Sequence, residues 1–161
     1  MKHFRLPGFS YVELMMVLGI LVVLLTLVSM TIVPAITRAD TNATSLVLAS
    51  DLFSQQQKSM QGELSSTAET TTFGVYFQPT YYVLFQGTTY DSNHPDNFRV
   101  TLPPQLQFSS IQLPNQTVLY QRTTGDVVGY NASQNTVTLS PVDGATAKVL
   151  QINRYGVVEI Y

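Results

Sequence analysis

Three residues near the start of the chain have the types and spacing for one cleavage step and one charge pairing. Gly8 precedes Phe9, and Glu13 follows Phe9 by four residues. Because glycine has no side chain, a protease can approach the backbone closely at this position. Cleavage between Gly8 and Phe9 would remove Lys2 and Arg5 and leave an α-amino group about one helical turn from the Glu13 carboxylate. The spacing therefore predicts a processing site whose product carries opposite charges close together.

The polar segment 91–97, DSNHPDN, contains the other residues that could do chemistry. Its His94 is the one histidine that would remain after the cleavage, and the chain has no cysteine. With a single candidate base we expect no enzymatic activity, and no motif indicates a cofactor. Asp91, Asn93 and Asp96 offer oxygen ligands to Ca²⁺, but the segment lacks the glycine and the distal glutamate of an EF-hand loop. We therefore favour a surface loop without a metal.

An uncharged apolar stretch follows the cleavage motif and must position it. Residues 14–36 are 23 consecutive residues without a charge. As a helix they would extend about 35 Å, enough to cross a hydrocarbon layer of about 30 Å. The stretch is longer than the core of a secretory signal. Because Lys2 and Arg5 precede it, the positive-inside rule predicts a single span over 9–37 with a cytoplasmic N-terminus.

A carboxylate at the leading edge of such a span must be paired, neutralised or placed against protein. In a bundle of neighbouring helices, Glu13 could pair with the α-ammonium group of Phe9 on another subunit and so set the axial register. The alternative is that Glu13 interacts with the dipole of its own helix at the membrane surface. Near the far end, Pro34 either kinks the helix or marks the point where it leaves the membrane.

The stretch GFSYVELMMVLGILVVL, after a short basic leader, resembles the class III signal of the type IV pilin and type II secretion pseudopilin superfamily. The resemblance implies that a prepilin peptidase removes residues 1–8, that Phe9 is N-methylated and that Glu13 supports assembly. It also implies a cytoplasmic-membrane precursor that joins other pilin or pseudopilin subunits in a filament in the periplasm or at the cell surface. Pilus, secretion and competence systems all remain open.

Roughly helical spacing of apolar residues continues beyond the span, so we predict one helix from about Tyr11 to about Gln61. Its continuation covers 38–64, and we expect Asp51 and the glutamines to occupy the outer face. Residues 65–161 are expected to form a β-rich outer domain. The fold class is therefore predicted as α+β, with a long N-terminal helix, membrane-spanning in its first half, packed on an antiparallel β-sheet domain.

Strands in the outer domain are indicated by alternating aromatic and β-branched residues between turn signals. FGVYF and YYVLF flank Gln78-Pro79-Thr80 and predict a hairpin. The remaining strand candidates are residues 98–102, 106–113, 117–121, 127–130, 136–140, 148–153 and 157–161.

This strand order and the terminal VLQINRYGVVEI hairpin resemble the outer domain of GspH/FimT-like minor pilins, which implies a minor, tip-associated subunit. Some members of that group bind DNA through a Gly-Arg-x-Arg stretch, where this chain has Gly156-Val157-Val158-Glu159. Loss of the leader leaves six basic and ten acidic residues, so we do not expect DNA binding. A filament-tip binding module, either an adhesin or a DNA-uptake receptor, is the alternative function. A plain membrane anchor without a filament is the third.

Overall fold

A computed structural model of the chain describes residues 10–62, 71–144 and 146–161, except for the side chains of 30–36. The chain divides into two compact units, Met1–Ile36 and Thr37–Tyr161. One helix, α1 (Tyr11–Gln61, 51 residues), begins in the first unit and ends in the second. Its bounds are those that the spacing of apolar residues predicts.

Local chemistry explains where α1 begins and ends. The Ser10 hydroxyl accepts a hydrogen bond from the backbone N–H of Val12 at 3.3 Å, and the Ser10 carbonyl accepts one from Leu14 at 3.1 Å. The first bond satisfies a donor that the first turn of a helix leaves unpaired, and the second is the first bond of the helical ladder. Gly62 follows the last helical residue with a φ of 64°, a left-handed conformation that glycine adopts readily and that commonly stops helices.

In the described residues after α1, a short 3-10 helix (Pro114–Gln116) and eight strands follow: β1 (Phe73–Gln78), β2 (Tyr81–Gln86), β3 (Phe98–Thr101), β4 (Leu106–Gln112), β5 (Thr117–Tyr120), β6 (Thr136–Pro141), β7 (Lys148–Ile152) and β8 (Val158–Ile160). They make two four-stranded sheets in the orders β3-β2-β1-β5 and β4-β6-β7-β8. Every pairing is antiparallel. The α+β class is therefore confirmed, and the antiparallel strands form two sheets.

The hairpin prediction is confirmed, and one strand prediction is wrong. Tyr81 pairs with Gln78 across the β1–β2 turn. The predicted strand at 127–130 is reduced to a single bridge between Val127 and Tyr120. Gly129, with a φ of 66°, turns the backbone out of the extended conformation that a strand needs.

The core contains side chains from α1 and from both sheets. Leu48 and Leu52 of α1 are fully buried beside Phe77 of the first sheet and Leu139 of the second. Aromatic rings fill much of the space, and the centroids of Phe77 and Phe108 lie 5.5 Å apart in an edge-to-face arrangement. The second half of the helix is thus held to the β domain by apolar packing.

The expectation that the glutamines of α1 face outward is wrong for two of them. Gln55 and Gln56 are only 4% and 8% exposed, whereas Leu46 and Phe53 are 64% and 58% exposed. Gln56 can be buried because its amide donates hydrogen bonds to backbone carbonyl oxygens of the β domain. Asp51 is half-buried and also has a partner in the β domain.

Candidate functional site

Two parts of the predicted processing and assembly site fall outside the described residues. Gly8 and Phe9 precede the first described position, and the side chain of Pro34 is not described. The helical assignment of α1 continues through position 34. Cleavage between Gly8 and Phe9, methylation of Phe9 and a kink at Pro34 therefore stay predictions.

Glu13 lies in the first turn of α1, and its side chain is exposed. It stands three residues after Ser10, which caps the helix. Ser-x-x-Glu is the capping-box spacing, in which a glutamate can reach back to the N-terminal end of the helix. Sequence reasoning overlooked Ser10, although this spacing was the signal that could have identified it. An exposed position in the first turn is compatible with both roles considered for Glu13, an interaction with the dipole of its own helix and charge pairing between subunits.

Within the described ranges, one helix is long and apolar enough to span a membrane, by length and composition. It covers Tyr11–Ser29, with a mean hydropathy of 2.6. Its large apolar side chains are exposed. The two aliphatic hydroxyl groups in this segment are satisfied within the helix, because Thr26 donates to the Val22 carbonyl at 2.8 Å and Ser29 donates to the Leu25 carbonyl at 2.9 Å. Internal satisfaction of polar groups is what a hydrocarbon environment requires.

The 91–97 loop uses its predicted metal ligands in hydrogen bonds of its own. Asp91 Oδ1 accepts a bond of 3.0 Å from the backbone N–H of Asn93, and Asp96 Oδ2 accepts a bond from the Gln86 amide. These bonds tie the loop to itself and to β2. In the described part of the chain, no group of three or more His, Asp or Glu side chains is arranged to hold a metal ion.

His94, the only candidate base for catalysis outside the leader, is half-buried in the same loop. Its Nδ1 atom accepts a hydrogen bond of 3.3 Å from the backbone N–H of Asp96. This contact gives the imidazole ring a role in holding the turn.

One face of the first sheet carries clustered aromatic rings, which we call the aromatic face. Strand alternation sends Tyr76, Tyr81 and Phe85 to the side opposite the core. Tyr90 stacks on Tyr76 with a centroid separation of 4.1 Å, and the Arg99 guanidinium group lies 3.7 Å from the centroid of Tyr81. Tyrosines that alternate along strands can serve either cross-strand packing or stacking on a ligand. In the structure Tyr90 stacks on Tyr76 and packs edge-on against the buried Phe85 ring at 5.6 Å, while Arg99 covers Tyr81 on the same face of the sheet.

Comparison of the chain with protein-family models, curated proteins and solved structures gives no match.

Proposed function

We propose that this chain is the precursor of a structural minor subunit of a type IV pilus or of a type II secretion-like filament. It is inserted in the cytoplasmic membrane with its N-terminus inside, processed by a prepilin peptidase, and then assembled with other pilin or pseudopilin subunits. The finished filament lies in the periplasm or at the cell surface.

The length and exposed apolar surface of α1 carry this proposal. A bilayer is crossed by about 20 helical residues, whereas α1 has 51. Its apolar exposure does not end with the candidate span at Ser29, because Leu46, Val47 and Phe53 are each more than half exposed on the later part of the helix. Leu46 and Phe53 are seven residues apart, a spacing that places them on the same side of the helix. A surface of this kind fits packing against helices of neighbouring subunits.

The apolar surface and Glu13 contribute to assembly in different ways. Moving an apolar helix from lipid to a bundle of similar helices gains little from the hydrophobic effect, so close packing has to stabilise the bundle. A buried carboxylate without a partner is costly. Pairing of Glu13 with the α-ammonium group of Phe9 on a neighbour would therefore select one axial offset among the many that apolar packing allows.

A filament-tip binding module is the second candidate, and the aromatic face favours it. Stacked tyrosines beside an arginine offer flat apolar rings and a cation to a ligand. The excess of acidic over basic residues in the processed chain argues against DNA as that ligand. This candidate predicts that Tyr76→Ala reduces attachment of assembled filaments to a surface while leaving the amount of filament unchanged.

Intact-mass measurement and N-terminal sequencing test the proposed function directly. The full chain is co-expressed with an active prepilin peptidase, as wild type, as Gly8→Ala and as Gly19→Ala. We expect the wild type to begin at Phe9 and to carry one additional methyl group, and Gly8→Ala to retain the leader. Gly19→Ala is the matched control, because an added Cβ at Gly19 has no atom within 4 Å in the described structure.

The outcome that overturns the proposal is a wild-type chain that still begins at Met1 while the same peptidase processes a known prepilin. The protein would then be a plain membrane anchor. Cleavage of all three chains would show that the peptidase does not read Gly8, and the predicted site would be wrong.

A further inference from the structure

A cleft within the second unit brings together two cations that are far apart in the sequence. Arg38, Thr41 and Asn42 of α1 line one side, and Thr146 and Lys148 line the other. Lys148 is the first residue of β7, so the β6–β7 turn carries it to the helix. The cleft has about 600 Å³ of empty space, part of it open to solvent. The sequence does not indicate this juxtaposition, because Arg38 and Lys148 are brought together only by the folded chain.

The positive charge of the cleft is not compensated by its lining. None of the lining residues is acidic. Asp40, the nearest acid along the helix, accepts a hydrogen bond of 2.6 Å from the Gln105 amide, and Asp143 of the β6–β7 turn does not line the cleft. Among the described residues, neither Arg38 nor Lys148 forms an ion pair with an acidic side chain. Two like charges held near each other in this way attract an anion.

The donors in the cleft suit a phosphate group. The planar guanidinium group of Arg38 presents several N–H donors in a fork that matches phosphate oxygens, and the Lys148 ammonium group adds a compact charge. The amide of Asn42 and the hydroxyl of Thr146 are neutral donors at the same cleft. Thr41 lines the cleft but supplies no donor to a ligand, because its hydroxyl already donates to the Thr37 carbonyl at 2.8 Å.

The position of Arg38 in the sequence indicates where such a phosphate would come from. Arg38 lies two residues beyond the uncharged stretch 14–36, which corresponds to about 3 Å of helix rise. Basic side chains directly after a span lie at the depth of the lipid headgroups. A lipid phosphate is therefore the anion nearest to this cleft in a membrane-inserted chain.

We propose that the cleft between Arg38 and Lys148 binds the phosphate of an anionic phospholipid headgroup on the outer side of the membrane. This inference rests on the membrane insertion assumed in the proposed function. Because α1 and β7 supply one cation each, a single headgroup contacts both the helix and the β domain. The lipid must be released when the subunit leaves the membrane, so the cleft is occupied by lipid only before assembly.

Binding of short-chain lipids to the full chain in detergent micelles tests this inference. The uncleaved protein is titrated with dihexanoylphosphatidylglycerol below its critical micelle concentration, and the backbone amide signals of Asn42 and Thr146 are followed by NMR. We expect saturable shifts of both signals. Loss of two charged donors in Arg38→Gln combined with Lys148→Gln should weaken binding by at least about tenfold. Lys148→Arg, which keeps the charge, should bind within about threefold of the wild type.

Arg154→Gln is the matched control, because Arg154 is exposed and does not line the cleft. This variant loses one positive charge, as Arg38→Gln alone does, and should bind like the wild type, whereas Arg38→Gln alone should weaken binding. Equal weakening by Arg154→Gln would reduce the effect to net charge and overturn the assignment of the cleft. Wild-type affinity in the double variant would do the same.

Two further ligands identify the source of the phosphate. Equal affinity for dihexanoylphosphatidylcholine would show that an anionic headgroup is not selected, and equal affinity for inorganic phosphate would assign the cleft to a soluble ion; either result overturns the lipid proposal. The assay needs neither peptidase nor filament. Absence of lipid binding would leave the proposed processing and assembly untouched. A chain that binds lipid but is not cleaved would contradict the proposed function alone.

Discussion

The hydroxyl group of Tyr82 donates a hydrogen bond of 2.6 Å to the carboxylate of Asp51. The bond joins β2 to the middle of α1. Tyr120 of β5 is as deeply buried as Tyr82, yet within the described ranges its hydroxyl group has no hydrogen-bond partner. The same core therefore contains one tyrosine hydroxyl with a hydrogen-bond partner and one without. The two residues form a matched pair for measuring how much such a hydrogen bond contributes to stability.

Replacing each of these tyrosines with phenylalanine should have opposite effects on the free energy of unfolding. Tyr82→Phe leaves the half-buried Asp51 carboxylate without its donor and should cost about 2 kcal/mol. Tyr120→Phe removes a hydroxyl group that is buried without a partner, and should leave the stability unchanged or raise it by up to about 1 kcal/mol. Urea denaturation of the two variants beside the wild type measures both values. Equal losses would contradict the difference in hydrogen bonding.

Stability should decrease at alkaline pH because of the same two residues. Burial, together with the hydrogen bond to Asp51 and its charge, raises the pKa of Tyr82, and burial raises the pKa of Tyr120. A tyrosine in the unfolded chain has a pKa of about 10. Above that pH the unfolded chain releases protons that the folded chain retains, so the free energy of unfolding falls as pH rises and is at its full value below.

Urea denaturation midpoints between about pH 8 and pH 11 check this dependence. We expect a constant midpoint below about pH 9 and a steady decrease above about pH 10. The decrease should be smaller in Tyr82→Phe, which lacks one of the two groups. An alkaline slope that is unchanged in this variant would show that other groups cause it.

Gln56 should tolerate no negative charge. Its Nε2 atom donates to the carbonyl oxygens of Gly125 at 3.0 Å and Tyr155 at 2.7 Å. In Gln56→Glu a carboxylate would face two acceptors, with a cost of about 2–3 kcal/mol at neutral pH. Gln57→Glu introduces the same charge at a half-buried neighbour and should change the stability by no more than about 0.5 kcal/mol. Thermal unfolding of Gln56→Glu and Gln57→Glu measures the two losses of stability. Equal losses would show that any added charge on α1 is destabilising, whatever its hydrogen-bond partners.

Glu13→Gln separates the two roles of this carboxylate. Glutamine three residues after Ser10 retains the capping-box geometry but has no charge. If Glu13 pairs with the Phe9 ammonium group of a neighbour, Glu13→Gln should be processed normally and yet be recovered in sheared filaments at about one tenth of the wild-type amount or less. A dipole contribution is only about 0.3–1 kcal/mol, so its loss would leave most incorporation intact.

Glu159→Gln, at an exposed carboxylate of β8, is the control for a change of charge elsewhere and should assemble like the wild type. Normal filament incorporation of Glu13→Gln would limit Glu13 to interactions with the N-terminal end of its own helix. The axial register would then have to come from packing of the apolar side chains.

Features that depend on neighbours in the sequence could be predicted without a structure. The bounds of α1 follow from helical spacing, from Ser10 before it and from Gly62 after it. The β1–β2 hairpin follows from two aromatic strands around Pro79. The strand predicted at 127–130 is absent for a reason that is also local, because Gly129 has a positive φ that extended backbone excludes.

The candidate sites divide in the same way. Gly8, Phe9 and Glu13 can be identified from the sequence because cleavage and pairing depend on their spacing along one segment. The Arg38–Lys148 cleft, the stacking of Tyr90 on Tyr76 and the burial of Gln56 could not, because each requires two segments that only folding brings together. By itself the sequence determined a long apolar helix with a charge near its start, followed by a strand-rich domain. Only the tertiary structure decided which polar groups of that helix are buried with partners and which remain available to a ligand.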